Sequence, residues 1–224
     1  MAQDATAVDM SGYKQMLLAQ TRPSSLSKPV TEVVIFRLLP DYVPLTQATI
    51  DHIKSDFVGQ AAAGVGVRRV AFGVSHTDPA VIALMFNWRQ IQDHWDFWEC
   101  ELFPRVIKTI SELFDPGRPL VRHYEFKQAG MLTEQWQRIQ VWQDVGNFDA
   151  TPADVESGFA AGATTKAVGR KMGPAVDLQE TDWRGAFWGY DSKEAMSEDD
   201  KHMEKQGTVH LMEFKFVDGK NEVQ

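Results

Sequence analysis

Two short stretches of the sequence decide the predicted fold: residues 123–127 read HYEFK, and residues 211–215 read LMEFK. Both stretches end in alternating apolar and polar residues, which is typical of a β-strand with one buried face. The common ending EFK puts Glu125 and Glu213 in equivalent positions of two strands. The sequence therefore indicates that one structural unit occurs twice along the chain.

Each of the two stretches closes the same series of elements. Apolar alternation predicts strands, and apolar residues three and four positions apart predict helices. Pro104 is expected to kink or split the longest helix. The first series has predicted strands at 32–39, 67–75, 80–88 and 120–127 and helices at 46–59 and 92–114; the second has strands at 135–145, 175–180, 183–190 and 208–217 and helices at 151–168 and 192–206. Both series have the order β-α-β-β-α-β of a ferredoxin-like unit.

These series divide the chain into three parts. Residues 1–30 are predicted to be an N-terminal arm and linker, because residues 21–29 are rich in serine and proline. Residues 31–127 form the first predicted repeat and residues 134–218 the second. The predicted fold class is α+β, with tandem ferredoxin-like β-α-β-β-α-β repeats.

The composition restricts the partners and the compartment. Of the 224 residues, 43% are hydrophobic and 24% are charged, and the formal net charge is −8. This negative balance disfavours nucleic acid and anionic membrane surfaces as partners, since both attract basic patches. No apolar run approaches the roughly 20 residues of a membrane span, and residues 1–9 carry no basic residue of the kind a secretory signal has. Cys100 is the single cysteine, so no intramolecular disulfide can form, and we expect a cytoplasmic protein.

Four features together resemble the dimeric α/β-barrel superfamily, which includes antibiotic-biosynthesis monooxygenase-like and stress-responsive barrel domains. They are EVVIF at 32–36, FNW at 86–88, the Trp-rich helix that begins at Gln92, and the two EFK endings. The resemblance covers residues 31–218 and implies that the two repeats form an intramolecular dimeric α/β barrel. It also implies a ligand cleft between a sheet and its covering helices. Long tandem chains with an N-terminal arm are similar to those of fungal secondary metabolism.

The candidate catalytic residues are two histidines and a carboxylate. His123 and Glu125 share one face of a predicted strand, and a carboxylate beside an imidazole fixes its tautomer and raises its basicity. The resemblance to polyketide cyclases of the superfamily places this pair on the helix-facing side of the sheet. It also points to His94, near the start of the Trp-rich helix, although the His-Pro-x-x-His pattern of those cyclases is absent. The structural alternative is that these side chains only bridge a strand to a helix or cap a helix.

Aromatic side chains are the candidate substrate-binding residues. Tryptophan and tyrosine can line pockets that hold flat apolar ligands, and the chain has seven tryptophans. The alternative is that these rings only pack the core. The predicted binding set comprises Trp88, Trp95, Trp98, Trp142, Trp188 and Tyr190, together with His76 at a strand end.

The sequence contains no motif for a cofactor or a metal. No HExxH, paired-histidine or Cys/His cluster occurs, and Gly64-x-Gly66 lacks the rest of a dinucleotide fingerprint. We therefore predict that the protein uses no cofactor and no metal. Cys100 is expected to be buried and inert.

Three functions fit these features. The first is a cofactor-independent cyclase or pericyclase that acts on a hydrophobic polyketide- or terpenoid-like small molecule in secondary metabolite biosynthesis, because such an enzyme relies on shape and desolvation rather than on a strong motif. The second is a cofactor-free monooxygenase acting on an electron-rich aromatic, which oxygen consumption would distinguish from a cyclase. The third is a non-catalytic small-molecule-binding barrel protein. Haem degradation is a further alternative that uses His94, although basic anchors for the propionates are sparse. The expected partner is a hydrophobic small molecule. The sequence is also compatible with a homodimer.

Overall fold

Eight antiparallel strands form the framework of the fold. The structure is a computed structural model that describes residues 15, 18–116, 120–143, 151–153, 155, 166–177, 183–203 and 205–220. The strands are β1 Val30–Arg37, β2 Val67–Ser75, β3 Val81–Trp88, β4 Leu120–Tyr124, β5 Trp136–Trp142, β6 Gly169–Pro174, β7 Arg184–Tyr190 and β8 Thr208–Asp218. Their order across the sheet is β4-β1-β3-β2-β8-β5-β7-β6, so the last four strands repeat the order of the first four.

The helices follow the strands in the predicted places. The connection between β1 and β2 is one helical run, α1, made of Gln47–His52, a π-helical stretch Ile53–Val58 and Gly59–Ala62. After β3 come α2 Ile91–Trp98 and α3 Phe103–Leu113, and after β7 comes α4 Lys193–Asp200. Pro104 lies in the first turn of α3, where proline is tolerated, so the predicted split of the long helix is confirmed. Within the described ranges, no helix has the length and apolar character needed to cross a membrane.

The two halves of the sheet meet twice and so close a barrel. β2 pairs with β8 along seven residue pairs. On the opposite side, the end strands β4 and β6 are joined by a bridge between Tyr124 and Ala175. Backbone hydrogen bonds continue this seam, from the N–H of Glu125 to Pro174 at 3.2 Å and from the N–H of Val176 to His123 at 2.9 Å. The sheet is therefore a nearly closed antiparallel barrel.

The pairing register shows that the halves are repeats. The first residues of β1 and β5 lie opposite the last residues of β3 and β7. The second residues of β1 and β5 lie opposite Tyr124 of β4 and Met212 of β8. Glu125 and Glu213 follow Tyr124 and Met212, so they are in equivalent positions, as the EFK endings predicted. The predicted fold, tandem ferredoxin-like repeats in an intramolecular barrel, is confirmed; the exact boundaries of the arm and the repeats stay predictions.

The position predicted for the sixth strand is wrong. β6 occupies Gly169–Pro174 instead of 175–180; Ala175 and Asp177 make only isolated bridges, and residues 178–180 lie outside the described part. Two glycines and a proline conceal the strand in the sequence. Gly173 is required there because a Cβ would overlap the carbonyl oxygen of Glu125 across the seam. The helix predicted at 192–206 ends earlier, at Asp200, and most of the one predicted at 151–168 lies outside the described residues.

The alternation of side chains along β1 separates two cores. Val33 and Ile35 belong to a cluster that includes residues of both halves and fills the barrel. Val34 and Phe36 belong to a second cluster with α1, α2 and α3. Because side chains on a strand alternate between faces, Glu32 lies on the helix-facing side with Val34 and Phe36.

Candidate active site

A cavity of about 220 Å³ lies between the sheet of the first half and the three helices α1, α2 and α3. Its walls are apolar except for four side chains that carry polar groups. These are Glu32, Trp88, His94 and Trp98. A mainly apolar cleft with few polar groups is typical of a site for a hydrophobic small molecule.

The secondary structure brings the polar side chains together. Glu32 extends from β1 and lies directly opposite His123 of β4 in the antiparallel register. Trp88 is the last residue of β3. His94 and Trp98 are four positions apart on α2, which places them on the same helix face. Two strands and one helix therefore supply the site.

A chain of hydrogen bonds runs from the cavity to the barrel seam. The indole N–H of Trp98 donates to Nε2 of His94 at 2.9 Å, and Nδ1 of His94 lies 2.8 Å from Nε2 of His123. Nδ1 of His123 lies 2.9 Å from Oδ1 of Asp177. Because an indole nitrogen can only donate, Nε2 of His94 accepts, and the neutral ring carries its proton on Nδ1. All donors then point in one direction, from Trp98 through His94 and His123 to Asp177.

Asp177 fixes the inner end of this chain. It lies just beyond β6, where Oδ2 accepts a second hydrogen bond from the backbone N–H of His123 at 2.9 Å. His123 itself is only 2% exposed. Two hydrogen bonds to the same residue hold the carboxylate against the imidazole. A carboxylate in this position sets the tautomer of the ring and increases its basicity.

Glu32 is a second carboxyl group at the cavity wall. Its Oε2 accepts a hydrogen bond from the indole N–H of Trp88 at 2.8 Å and lies 3.5 Å from Nε2 of His94. Burial raises the pKa of the Glu32 carboxyl, and the opposing effects of His123 and of the Trp88 hydrogen bond are smaller. Glu32 therefore keeps its proton more readily than an ordinary glutamate.

The surroundings push the two imidazole pKa values apart. Burial, together with the charge of a protonated His123, holds the pKa of His94 well below its ordinary value. Burial acts in the same sense on His123, but the charge and hydrogen bond of Asp177 outweigh it, so the pKa of His123 is raised. The pKa of Asp177 is lowered, because the attraction of His123 outweighs the effect of burial. Neighbouring groups with separated pKa values are typical of acid–base sites, and the lowered pKa of His94 favours its neutral form at the cavity wall.

Glu32, His94 and His123 also offer metal-ligand atoms that lie within 4.8 Å of one another. Two histidines and one carboxylate can bind a divalent transition metal. In this structure, however, the facing nitrogens of the two rings point at each other at hydrogen-bond distance, and the other nitrogen of His94 accepts from Trp98. Metal ligands instead direct their lone pairs at one common point. The arrangement fits a proton relay better than a coordination sphere.

Glu125 is not the partner of His123, contrary to the prediction. β4 ends at Tyr124, so the strand alternation no longer orients the side chain that follows. The Glu125 carboxylate instead accepts hydrogen bonds from Ser25 Oγ at 3.0 Å and from Lys28 Nζ at 2.8 Å. Glu125 therefore ties the segment before β1 to the barrel, and Asp177 takes the role predicted for it.

Trp95 packs against both imidazoles of the relay. Its ring centroid lies 4.6 Å from that of His94 and 5.1 Å from that of His123. Its indole N–H donates to Thr21 Oγ at 3.2 Å. Trp95 is not among the residues that line the cavity, so it packs behind the two imidazoles.

The other residues predicted to bind substrate lie away from this cavity. His76 is at the joint between the halves, with its ring centroid 6.5 Å from that of Trp136. Trp142, Trp188 and Tyr190 are buried in the core cluster of the second half. Of the predicted binding set, the cavity thus brings together only Trp88 and Trp98, along with His94.

An ion pair fills the equivalent position in the second half. Arg138 is the third residue of β5, as Glu32 is the third residue of β1. Arg138 is fully buried, donates to Asp200 Oδ1 at 3.0 Å and lies 4.9 Å from the centre of the Trp188 ring. The two repeats have therefore diverged at this position, where the first half has a carboxyl group and the second half has a guanidinium group.

The sequence interpretation missed Glu32 and Asp177. Glu32 did carry a signal, because it is the charged residue that begins the otherwise apolar stretch EVVIF. A charge on a buried strand needs a partner and so indicates a site. Asp177 carried none, because it lies 54 positions from His123 and meets it only where the barrel closes.

Comparison with known proteins gives structural likenesses but no sequence relatives. No protein-family model matches the chain, and no curated protein matches it. An anthrone oxidase-like protein has a TM-score of 0.56 at 13% identity, covering 88% of this chain and 95% of its own. A candidate monooxygenase of Fusobacterium nucleatum has a TM-score of 0.54 at 10% identity, covering 86% of this chain and 95% of its own.

A candidate chlorite dismutase is similar to the same extent, with a TM-score of 0.54, 11% identity, and coverage of 86% of this chain and 96% of its own. Identities this low show the fold alone. Together with the strand order and the closed seam, these likenesses show that the chain has the dimeric α/β-barrel fold, with both ferredoxin-like units in one polypeptide.

Proposed function

We propose that this protein is an enzyme that removes a proton from a carbon atom of a hydrophobic aromatic substrate, and that the resulting carbanion reacts with molecular oxygen. The observation that carries this proposal is the hydrogen-bonded chain Asp177–His123–His94, which ends at the wall of the apolar cavity. A neutral imidazole that is backed by a carboxylate is a common general base. The reaction class is cofactor-independent monooxygenation.

The proposed reaction begins at Nε2 of His94. The entering substrate displaces the indole N–H of Trp98 from this nitrogen, which frees its lone pair. Nε2 then takes a proton from an acidic C–H group, and the electron pair of that bond spreads over the aromatic system. The proton on Nδ1 can pass to Nε2 of His123, because the Asp177 carboxylate stabilises the charged His123 ring.

Oxygen enters after proton removal. The carbanion is oxidised by molecular oxygen and bonds to it, and the proton held on Nε2 of His94 returns to give a hydroperoxide, while His123 passes its extra proton back to Nδ1 of His94. Loss of water from a carbon that carries the hydroperoxide and one hydrogen leaves a ketone. Overall, a methylene group and one molecule of oxygen give a carbonyl group and one molecule of water. The apolar walls support this chemistry, because they keep bulk water away from the reactive carbon.

The structural neighbours agree with oxygenation more than with cyclisation. One is described as anthrone oxidase-like and another as a candidate monooxygenase. Their low identity gives the site no direct support, so the proposal depends on the relay and the cavity. Haem is disfavoured because both ring nitrogens of His94 are hydrogen bonded and, among the described residues, no lysine or arginine lines the cavity.

A cyclase that acts on a polyketide-like molecule is the second candidate. Ring closure by an aldol-type step also begins with proton removal next to a carbonyl group, so the same base would serve it. In either case we expect a hydrophobic small-molecule substrate from secondary metabolism, a cytoplasmic enzyme and a homodimer. Light scattering of the purified chain tests the homodimer.

Oxygen uptake tests the proposed reaction. The purified protein is mixed with anthrone or β-tetralone, and oxygen consumption and ketone formation are measured with and without a chelator. We expect one oxygen consumed per ketone formed, no effect of the chelator, and a loss of about 10²–10⁴-fold in His94→Gln, the usual scale for removing a general base.

His202→Gln is the matched control, because the His202 side chain is exposed and its ring bonds only to the exposed Glu198 carboxylate. Its rate should equal that of the unchanged protein. Equal rates for His94→Gln and His202→Gln would refute the proposal. Conversion of a polyketide-like substrate without oxygen uptake would favour the cyclase.

A further inference from the structure

The Glu32 carboxyl has one oxygen bound and one oxygen unused. Oε2 accepts the hydrogen bond from the Trp88 indole and lies near His94. Among the described residues, Oε1 has no hydrogen-bond partner. Glu32 is 5% exposed and lines the cavity. A carboxyl oxygen that has no protein partner, on a residue that lines a cavity, is available for a hydrogen bond with a bound ligand.

The groups around Glu32 favour its protonated form. Neither lysine nor arginine lines the cavity in the part of the chain that the structure describes. Burial raises the pKa of the carboxyl, Asp177 adds to this effect, and His123 and Trp88 oppose it. A protonated carboxyl has one O–H donor. Because Oε2 already accepts from Trp88, the proton belongs on Oε1, where it can donate into the cavity.

We propose that Glu32 is a second catalytic residue, whose Oε1 hydroxyl donates a hydrogen bond to the carbonyl oxygen of the substrate. The substrate class is then an uncharged aromatic ketone whose acidic C–H group is next to its carbonyl. This inference rests on the proposed function, in which His94 removes the proton.

The spacing of acid and base supports this substrate class. Nε2 of His94 and Oε2 of Glu32 are 3.5 Å apart, so both groups act at the same end of the cavity. In an α-ketone fragment the acidic carbon and the carbonyl oxygen are separated by about 2.4 Å, from ordinary bond lengths. One small fragment can therefore meet both groups, while the aromatic ring lies between the apolar walls. A carboxylate substrate is disfavoured, because no lysine or arginine among the described residues lines the cavity to pair with its charge.

The electron flow is balanced. Nε2 of His94 takes the α-proton, and the C–H electron pair becomes a carbon–carbon double bond. The carbonyl π pair moves to the oxygen, where the Glu32 hydroxyl stabilises it or transfers its proton to give the enol. The preorganised donor acts where negative charge develops, which is how an oxyanion hole lowers a barrier.

Hydrogen exchange measures this step without oxygen. β-Tetralone is kept in deuterium oxide under nitrogen with the enzyme, and the loss of its α-proton signal is followed by NMR. We expect the unchanged enzyme to accelerate exchange. Glu32→Leu should slow it by about 10²–10³-fold, the scale for losing one oxyanion donor. Glu32→Gln, which keeps a donor but cannot transfer a proton, should be slowed less, by about tenfold.

Binding gives a second readout. Tetralin has the same rings as β-tetralone but no oxygen, and quenching of tryptophan fluorescence reports the binding of both. We expect the unchanged protein and Glu32→Gln to prefer β-tetralone by about tenfold, the effect of one hydrogen bond. Glu32→Leu should lose this preference. Glu125→Gln is the control carboxyl variant, because Glu125 bonds to the segment before β1 and does not line the cavity.

The outcomes separate this inference from the proposed function. In one outcome, His94→Gln abolishes hydrogen exchange, while both Glu32 variants keep the full exchange rate and the preference of the unchanged protein for β-tetralone over tetralin. Glu32 then does not contact the substrate, and only the inference about Glu32 is wrong. If the unchanged enzyme does not accelerate exchange, both fall. If exchange depends on Glu32 and His94 but no oxygen is consumed, the role of Glu32 stands and the oxygenase reaction is wrong.

Discussion

Replacing Asp177 with asparagine tests the relay most directly. Asp177 makes two hydrogen bonds to His123, both at 2.9 Å. Asparagine can keep only one, since its amide N–H group would face another donor at the other position. Losing a hydrogen bond to a charged group costs about 1.5–3 kcal/mol. We therefore expect Asp177→Asn to lower the free energy of unfolding by this amount and to slow turnover by about 10–100-fold, since about 1.4 kcal/mol corresponds to tenfold.

The pH dependence of this variant has a defined sign. The lowered pKa of Asp177 gives stability that is present above its ordinary pKa of 3.8 and is lost as the pH falls through the folded value. The raised pKa of His123 gives stability that is present below its ordinary pKa of 6.5 and is lost as the pH rises through the folded value. The gap in unfolding free energy between the unchanged protein and Asp177→Asn should therefore be largest between these two ordinary values. It should shrink on either side.

The assay combines urea unfolding at several pH values with the pH profile of turnover. Without the carboxylate charge the pKa of His123 should fall, so the acidic limb of the rate profile should move to lower pH. Glu125→Gln is the matched control, because this second carboxylate near His123 bonds only to Ser25 and Lys28. An acidic limb that stays in place in Asp177→Asn, or an equal rate loss in Glu125→Gln, would show that the relay reasoning is wrong.

Three further predictions follow from the same geometry. Trp98→Ala should weaken the binding of β-tetralone about tenfold or more, measured by calorimetry, because it removes a wall of the cavity; unchanged affinity would contradict this. In His94→Gln, the free energy of unfolding should fall less between pH values of about 7 and 5 than in the unchanged protein. The reason is that the unfolded chain protonates His94 in this range and the folded protein does not. Equal slopes of unfolding free energy against pH for the two proteins would contradict this prediction. Gly173→Ala should lower the urea midpoint and the free energy of unfolding, the latter by about 1–3 kcal/mol, since the added Cβ would overlap the carbonyl oxygen of Glu125. An unchanged midpoint would show that the backbone at the seam moves to accommodate the Cβ.

Much of the fold was predictable because its signals are local. The split near Pro104 follows from the geometry of one ring, and the equivalence of Glu125 and Glu213 follows from a shared strand ending. The sixth strand was misplaced because Gly169 and Gly173 conceal its pattern. Gly173 is required by its close contact with the backbone carbonyl of Glu125, a residue far away in the sequence.

The site was predictable only in part. His94 and His123 were recognised as candidates, but Glu125 was wrongly predicted to be the partner of His123. A residue across the barrel seam lies closer to the His123 ring than the carboxylate two positions along the chain, and the sequence does not show which residues meet across the seam. The carboxylate two positions away turns to Ser25 and Lys28, while Asp177 approaches from the end of β6.

By itself, the sequence determined the order of the elements, the tandem repeat and the faces that are buried, since these depend on periodicity and turn residues within short stretches. The tertiary structure alone decided that Glu32 faces His123, that Asp177 completes the relay and that Arg138 fills the equivalent position in the second half. The physical reason is register: a shift of one residue in a strand pairing reverses the faces of all its side chains. That register is fixed by the packing of the whole barrel and not by any single stretch of the chain.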